Sequence, residues 1–251
     1  MGAIIINSLR EKIRSKTIYI VGGIGVAIIL FLALNGSFSF DDKILTDCHE
    51  LVPIVLVMVN LFASILAIML SLSTIPKEFE RKTTHLVLVR GIKQWQFILA
   101  LTISNIIISL FSIGLLSISV IIYALVQGEI QVLLKILGSI LILGLNISVL
   151  SAITSWLSIK LPETITGFIG ILIYFVGVFH SMLSIFVKTR EGFSRFLLEG
   201  LMTLVPNFAA VQKQSGQLVT GNYVDIYPLV LQGLFLYIIL ALTFVTFRKE
   251  V

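Results

Sequence analysis

Few residues in this chain are equipped for bond chemistry. Three histidines, His49, His85 and His180, and one cysteine, Cys48, supply the imidazole and thiol groups of the chain. None stands in an H-E-x-x-H pair or in a Cys/His spacing of the zinc type, so a metal centre has no ligand frame. The serines are numerous, but no G-x-S-x-G elbow presents one as a nucleophile. No G-x-x-x-x-G-K-[S/T] run cradles a phosphate, and the longest inner loop, about twenty residues, is too short for a nucleotide-binding domain. The chain is expected to be non-catalytic and to bind no cofactor itself. A lone cysteine also excludes an intrachain disulfide.

What remains is neutral polarity inside apolar runs. Asn60, Ser64 and Ser71 share one run, Thr102, Ser104, Asn105 and Ser109 a second, and Asn146, Ser148, Ser151 and Thr154 a third. Such side chains either hydrogen-bond between helices, at ~0.6 kcal/mol each on average, or line a partly polar pathway. Asn60, Ser64, Thr102 and Asn105 are the candidates for a translocation surface. Ion-driven carriers and proton pumps place charge in the membrane to bind the driving ion. These runs are nearly free of it: Lys135 lies near a run's end and His180 near the outer end of another.

The elements that must position these groups follow from composition. Of 251 residues, 57% are hydrophobic and 12% charged, about half the charge of a soluble domain. The apolar runs reach the ~20 residues needed to cross a bilayer core of ~30 Å. Six spans are predicted, Thr17–Leu34, Leu51–Ser73, Gln94–Val126, Gln131–Ile159, Thr164–Val187 and Tyr227–Phe247, giving an all-α polytopic protein in one transmembrane domain. Spans three and four exceed the bilayer thickness, and only Gln127-Gly128-Glu129 separates them, so they pair antiparallel. The net charge of +5 does not mark a nucleic-acid binder, because Lys and Arg lie in short inter-span segments and not as a stripe on a folded domain. Twelve fall on one side and six on the other, which puts both termini in the cytoplasm. The first span is expected to stay uncleaved, since it is long and no small-x-small site follows.

Three segments between spans carry further information. Residues 1–16 repeat Ile5 or Ile6, Leu9 and Ile13 at helical spacing, with Arg10, Lys12, Arg14 and Lys16 on the other faces, as in a helix lying on the membrane surface. Residues 74–93 read as a short helix bent away from span two, with Pro76 in its first turn and Glu78 and Glu80 at its positive end. Gly91 suits its end and Arg90 its negative pole. Residues 188–226 are too long for a passive loop. There Phe193, Phe196, Leu197, Leu201 and Leu204 mark an amphipathic helix stopping at Pro206, a re-entrant or surface element, and Ser215-Gly216 and Gly221-Asn222 signal turns. Gly23 and Ala27, four apart, hint at a close helix contact along span one.

This layout resembles the membrane subunits of ATP-binding-cassette exporters of the type-2 permease family. After span two those permeases carry a glutamate-rich helix, a threonine, leucines, an arginine and a second basic residue. Glu78, Glu80, Thr83, Leu86, Leu88, Arg90 and Lys93 stand in that order, and Trp95-Gln96-Phe97 begins the next span. Ser8-Leu9-Arg10-Glu11 with Arg14-Ser15-Lys16 is similar to the family's N-terminal elbow helix. The pattern departs at Lys82, Gly91 and Leu101, where glycine, proline and lysine are usual.

The resemblance implies that residues 74–93 form a coupling helix docking on a separate ATPase through Glu78, Phe79, Glu80, Arg81, Thr83, Leu86, Arg90 and Lys93. ATP and magnesium would be held by two copies of that partner. A second permease copy or homologue would complete the pathway in a bacterial plasma membrane, with room for an extracellular accessory protein. Without fixed charge in its spans, the cargo expected is amphipathic or hydrophobic: a peptide, lipid or drug. Two other readings stay open: a membrane subunit that transmits ATPase-generated force without moving cargo, and a secondary transporter of a neutral solute.

Overall fold

The computed structural model describes residues 1–14, 16–35, 38–40, 43–45, 48–80, 92–189 and 193–248. Among these, nearly all are helical: α1 (Gly2–Arg14), α2 (Lys16–Asn35), α3 (Cys48–Leu72), α4 (Thr74–Glu80), α5 (Gln94–Val126), α6 (Val132–Lys160), α7 (Glu163–Val178), α8 (His180–Lys188), α9 (Phe193–Leu204), α10 (Phe208–Thr220) and α11 (Tyr227–Arg248). The exception to the all-helical expectation is a pair of three-residue antiparallel strands between α2 and α3, β1 (Phe38–Phe40) and β2 (Lys43–Leu45), with Ser39 opposite Ile44.

Four segments are long and apolar enough to cross a membrane alone: Glu50–Glu80, Gln94–Val126, Val132–Lys160 and Tyr227–Thr246. Two bent pairs raise the number to as many as six, Gly2–Arg14 with Ile18–Phe31 at 59° and Glu163–Val178 with His180–Val187 at 72°. The protein is therefore a helical membrane protein. At ~1.5 Å per residue the 33 residues of α5 and the 29 of α6 exceed the ~30 Å core. They meet at a Schellman turn. Gly128 takes φ +77°, its N–H donates to Leu125, and Glu129 N–H donates to Ala124.

Helix α6 is the centre of the bundle, with 67% of its most apolar window buried, whereas α11 is peripheral at 11%. One core joins α2, α3, α5 and α6 through Ile29, Val55, Val59, Leu116, Val120, Leu143 and Ile147. Gly22 and Gly25 let α2 approach α5 closely, for a Cβ at either would lie 2.9 Å from Leu115 or 2.7 Å from Leu116. The predicted pair Gly23 and Ala27 is exposed instead, and a Cβ at Gly23 would meet nothing within 4 Å. The close contact lies on the predicted helix, but at Gly22 and Gly25 and not at Gly23 and Ala27.

Three further expectations change. The bend away from span two does not occur by Glu80, because α4 runs on from α3 across a single turn residue, Ser73, and Lys77 N–H still donates to Ser73 O at 3.3 Å. Pro76 is accommodated because it sits in the first turn of α4, where its missing N–H costs little. Span five breaks at Phe179, so Thr164–Val187 is not one helix. Ser215-Gly216 lies inside α10 and is no turn. The amphipathic helix before Pro206 is present as α9, and Gly221 does end α10, at φ +78°.

Helix α10 docks into the bundle between α3 and α6 by burying Phe208, Val211, Gln214, Ser215 and Val219. Asn207 caps its start, accepting from Ala210 N–H at 3.0 Å. Ser139 donates to Ser215 O at 2.7 Å, and Lys135 donates to Val219 O at 3.4 Å. Lys135 thus serves the negative pole of a neighbouring helix.

Candidate functional site: a polar crevice between the first helix and the end of span two

The site begins with α1. Its buried residue is Ser8. Ile4, Ile5, Leu9 and Lys12 are half-buried, while Ile6 and Ile13 are exposed. The apolar repeat of α1 is thus divided, with Ile5 and Leu9 half-buried and Ile6 and Ile13 exposed. The helix turns Ile6 and Ile13 outward and a partly polar stripe towards the protein, as suits an amphipathic helix whose second partner is hydrocarbon.

That stripe ties α1 to the spans. Ser104 donates to Ser8 at 2.9 Å. The Lys12 ammonium donates to Asn105 Oδ1. Asn105 is a hub: its Oδ1 also accepts from Thr74 Oγ1 at 2.9 Å, and its Nδ2 donates to Ser155 Oγ at 2.7 Å. One amide side chain thereby joins α1, α4, α5 and α6. Below it Ser109 bonds Ser151 at 3.2 Å, and Ser151 bonds Ser71 at 2.8 Å. An apolar cluster backs the same junction, with Ile75 fully buried against Phe97, Ile98 and Leu101 and with Ile4 packed on it.

Between α1 and α3–α4 this junction leaves a crevice of about 240 Å³. Ser8, Glu11 and Lys12 form one wall; Leu66, Met69, Leu70, Ser73, Thr74, Lys77 and Glu78 form the other. Burial pushes the Lys12 ammonium down from 10.5 to about 7, and the nearby Glu11 carboxylate opposes the shift only in part. Folding thus favours the neutral amine, so the unfolded chain binds more protons between pH 7 and 10.5 and stability rises with pH across that window. The Tm of the purified protein should climb from pH 7 to about pH 9.5, and Lys12→Met should lose that part of the slope. Parallel Tm profiles for the two proteins would contradict it.

The predicted site residues divide. Asn105 is central to the junction. Thr102 is buried beside it but donates to its own helix at Ile98 O, 3.0 Å. Asn60 and Ser64 form a separate buried place against the Tyr174 hydroxyl, although neither Asn60 side-chain atom reaches hydrogen-bond geometry. The four do not line one surface.

Of the predicted partner contacts, Glu78 is half-buried in the crevice wall while Phe79 and Glu80 are exposed on α4. Lys93 stands at the start of α5, its N–H donating to Gln96 Oε1 at 3.2 Å. Arg81, Thr83, Leu86 and Arg90 lie outside the described residues. Thr74, Ser155 and the inward role of Lys12 were not singled out from sequence, though Ser8 and Lys12, four apart, already marked a polar line on α1. Among the described residues no three His, Cys, Asp or Glu side chains gather to hold a metal. No protein-family model matches the chain, and no curated protein resembles it significantly.

Proposed function

We propose that this chain is the permease subunit of an ATP-driven exporter, with six spans, both termini in the cytoplasm and a separate ATPase docking after span two. The observation that carries the reading is the junction at Asn105. Thr74, six residues before Glu80, shares that amide with Lys12 of α1 and Ser155 of α6. A displacement at the exposed Phe79 and Glu80 therefore reaches four helices through one buried side chain. A plain inter-span connector has no need of such a linkage, whereas a subunit driven from outside itself does.

In that reading the chain performs no bond chemistry. ATPase closure would push α4 and the segment following it, and α1, α5 and α6 would move with it because Ile75, Phe97, Ile98 and Leu101 are packed as one unit. A close-packed core passes such a displacement on without absorbing it. Two copies, or this chain and a homologue, would enclose the pathway, and uncharged span interiors favour an amphipathic or hydrophobic cargo.

Charge reversal tests the docking. Glu78→Lys with Glu80→Lys should abolish co-purification of a co-expressed ATPase partner and its stimulation, while the amount of inserted permease stays at the wild-type level. Undiminished co-purification and stimulation in the double variant would sink the reading.

A further inference from the structure

Three amide side chains deep in the bundle keep polar atoms without a partner. Asn60 on α3 is fully buried, and neither its Oδ1 nor its Nδ2 is hydrogen-bonded. Asn146 on α6 is 2% exposed and Gln232 on α11 1% exposed, and Asn146 Oδ1 and Gln232 Nε2 are unpartnered as well. The Asn146 amide is oriented by its other end, since Nδ2 donates to Phe208 O at 3.1 Å. Fourteen residues of α6 lie on each side of Asn146, so ~21 Å of helix separates it from either end. At that depth the hydrocarbon outside offers these atoms nothing.

The three share one surrounding. Val149 and Leu150 follow Asn146 by three and four residues, Phe235 and Leu236 follow Gln232 by the same spacing, and all four pack in one cluster with Tyr174 and Phe208. Trp95, at the start of α5, meets Phe244 near the end of α11 at 4.9 Å between ring centroids. Helix α11 therefore runs parallel to α6, and Asn146 and Gln232 stand at one level, a turn before the shared cluster. Asn60 reaches the cluster through its neighbour Leu61 and through the Tyr174 hydroxyl, beside which Asn60 and Ser64 lie. The Tyr174 and Phe208 rings are themselves 6.1 Å apart.

The unpartnered atoms select the occupant. Two are donors, Asn60 Nδ2 and Gln232 Nε2, and two are acceptors, Asn60 Oδ1 and Asn146 Oδ1. A cation would face both donors and an anion both acceptors. Neither would find a countercharge, for residues 51–76, 136–159, 164–187 and 226–247 contain no Asp, Glu, Lys or Arg. Water donates and accepts alike, and a buried water is typically held by about three such groups. We infer that the level of Asn60, Asn146 and Gln232 is an internal hydration site, where ordered water joins α3 and α6 to the otherwise peripheral α11. The inference requires neither an ATPase nor a cargo, so it fails separately from the exporter reading.

Synchrotron radiolysis of the purified full chain tests it, because radicals formed from a bound water oxidise the side chains beside that water. Phe208 and Tyr174, 0% and 4% exposed, should be oxidised despite their burial. Gln232→Leu should slow that oxidation severalfold, and Asn60→Leu combined with it should nearly abolish it. The single change sits on a helix with few buried residues, so a single symmetric elution peak and unchanged helical content verify its fold. No oxidation of either ring in the wild type, or an unaltered rate in Gln232→Leu, overturns the inference; the second result would trace the oxidation to transient opening of the bundle. A gain in Tm from sodium over choline at equal ionic strength, lost in Gln232→Leu, also overturns it, because the site would then hold a cation.

Discussion

Asn105→Leu should lower the stability of the purified protein by ~3 kcal/mol or more and release α1 from the bundle. Two magnitudes bear on that figure. Counted as ordinary interhelical bonds at ~0.6 kcal/mol each, the three lost contacts would total only ~2 kcal/mol. The partners left behind decide otherwise, because an orphaned buried donor or acceptor costs ~1–3 kcal/mol, and more when it is charged. Lys12 and Ser155 lose their partner in this junction, and Lys12 costs the more of the two when protonated, whereas Thr74 keeps its bond to Leu70 O at 2.7 Å. Asn105→Asp separates the hub's geometry from its charge: it keeps an acceptor for Lys12 and Thr74 and supplies an anion beside the amine. That variant should retain most of the stability and raise the Lys12 pKa, which removes the rise in Tm above pH 7. Denaturant unfolding in mild detergent, with limited proteolysis at Arg10 and Arg14, measures both effects. A loss below ~1 kcal/mol for Asn105→Leu would show that the junction is incidental.

Gly177→Ala should be the second most damaging single change, at ~2 kcal/mol or above. A Cβ there would collide with the Phe208 ring and stand 2.6 Å from the Pro206 carbonyl oxygen. The ring has some freedom to rotate, but the carbonyl is backbone at the entrance to α10. Overpacking that side chains cannot relieve typically costs ~1–3 kcal/mol. The strain should appear as faster hydrogen exchange through Phe208–Thr220 and as a lower Tm. Phe208→Ala in the same chain should restore only part of the loss, since the clash with Pro206 persists. Wild-type exchange in α10 would refute the close packing of α7 against it.

The runs of apolar residues made the long helices legible, because length against a ~30 Å core is a single-variable test. Where neighbours choose between local alternatives, sequence said less. Span five looks continuous from Thr164 to Val187, yet it bends by 72° at Phe179, next to Gly177 and the Pro206–Phe208 segment that approaches it. Ser215-Gly216 has turn chemistry, but Ser139 draws Ser215 into the bundle and the helix continues. At the site, Asn105 was visible as a polar residue in an apolar run. Its partners were not, because Lys12 lies 93 residues away and reads as one of several basic flanking charges. Which face of α1 meets protein and which meets lipid depends on two competing apolar partners, and periodicity alone does not distinguish them.

The short turn at Gly128 bears on how the chain enters the bilayer. Asn105 and Ser109 on α5 find Ser155 and Ser151 only on α6, and Ser71 of α3 likewise bonds Ser151. A third span delivered alone would leave the Asn105 Nδ2 donor without its Ser155 acceptor, and an unsatisfied polar group in hydrocarbon costs several kcal/mol. With so few residues between them, α5 and α6 can leave the insertion machinery together as a zipped hairpin, polar edges already matched. Lengthening that turn would then act during biogenesis, delaying the partner and leaving the nascent chain exposed to quality-control proteases, even though the finished bundle would be unchanged.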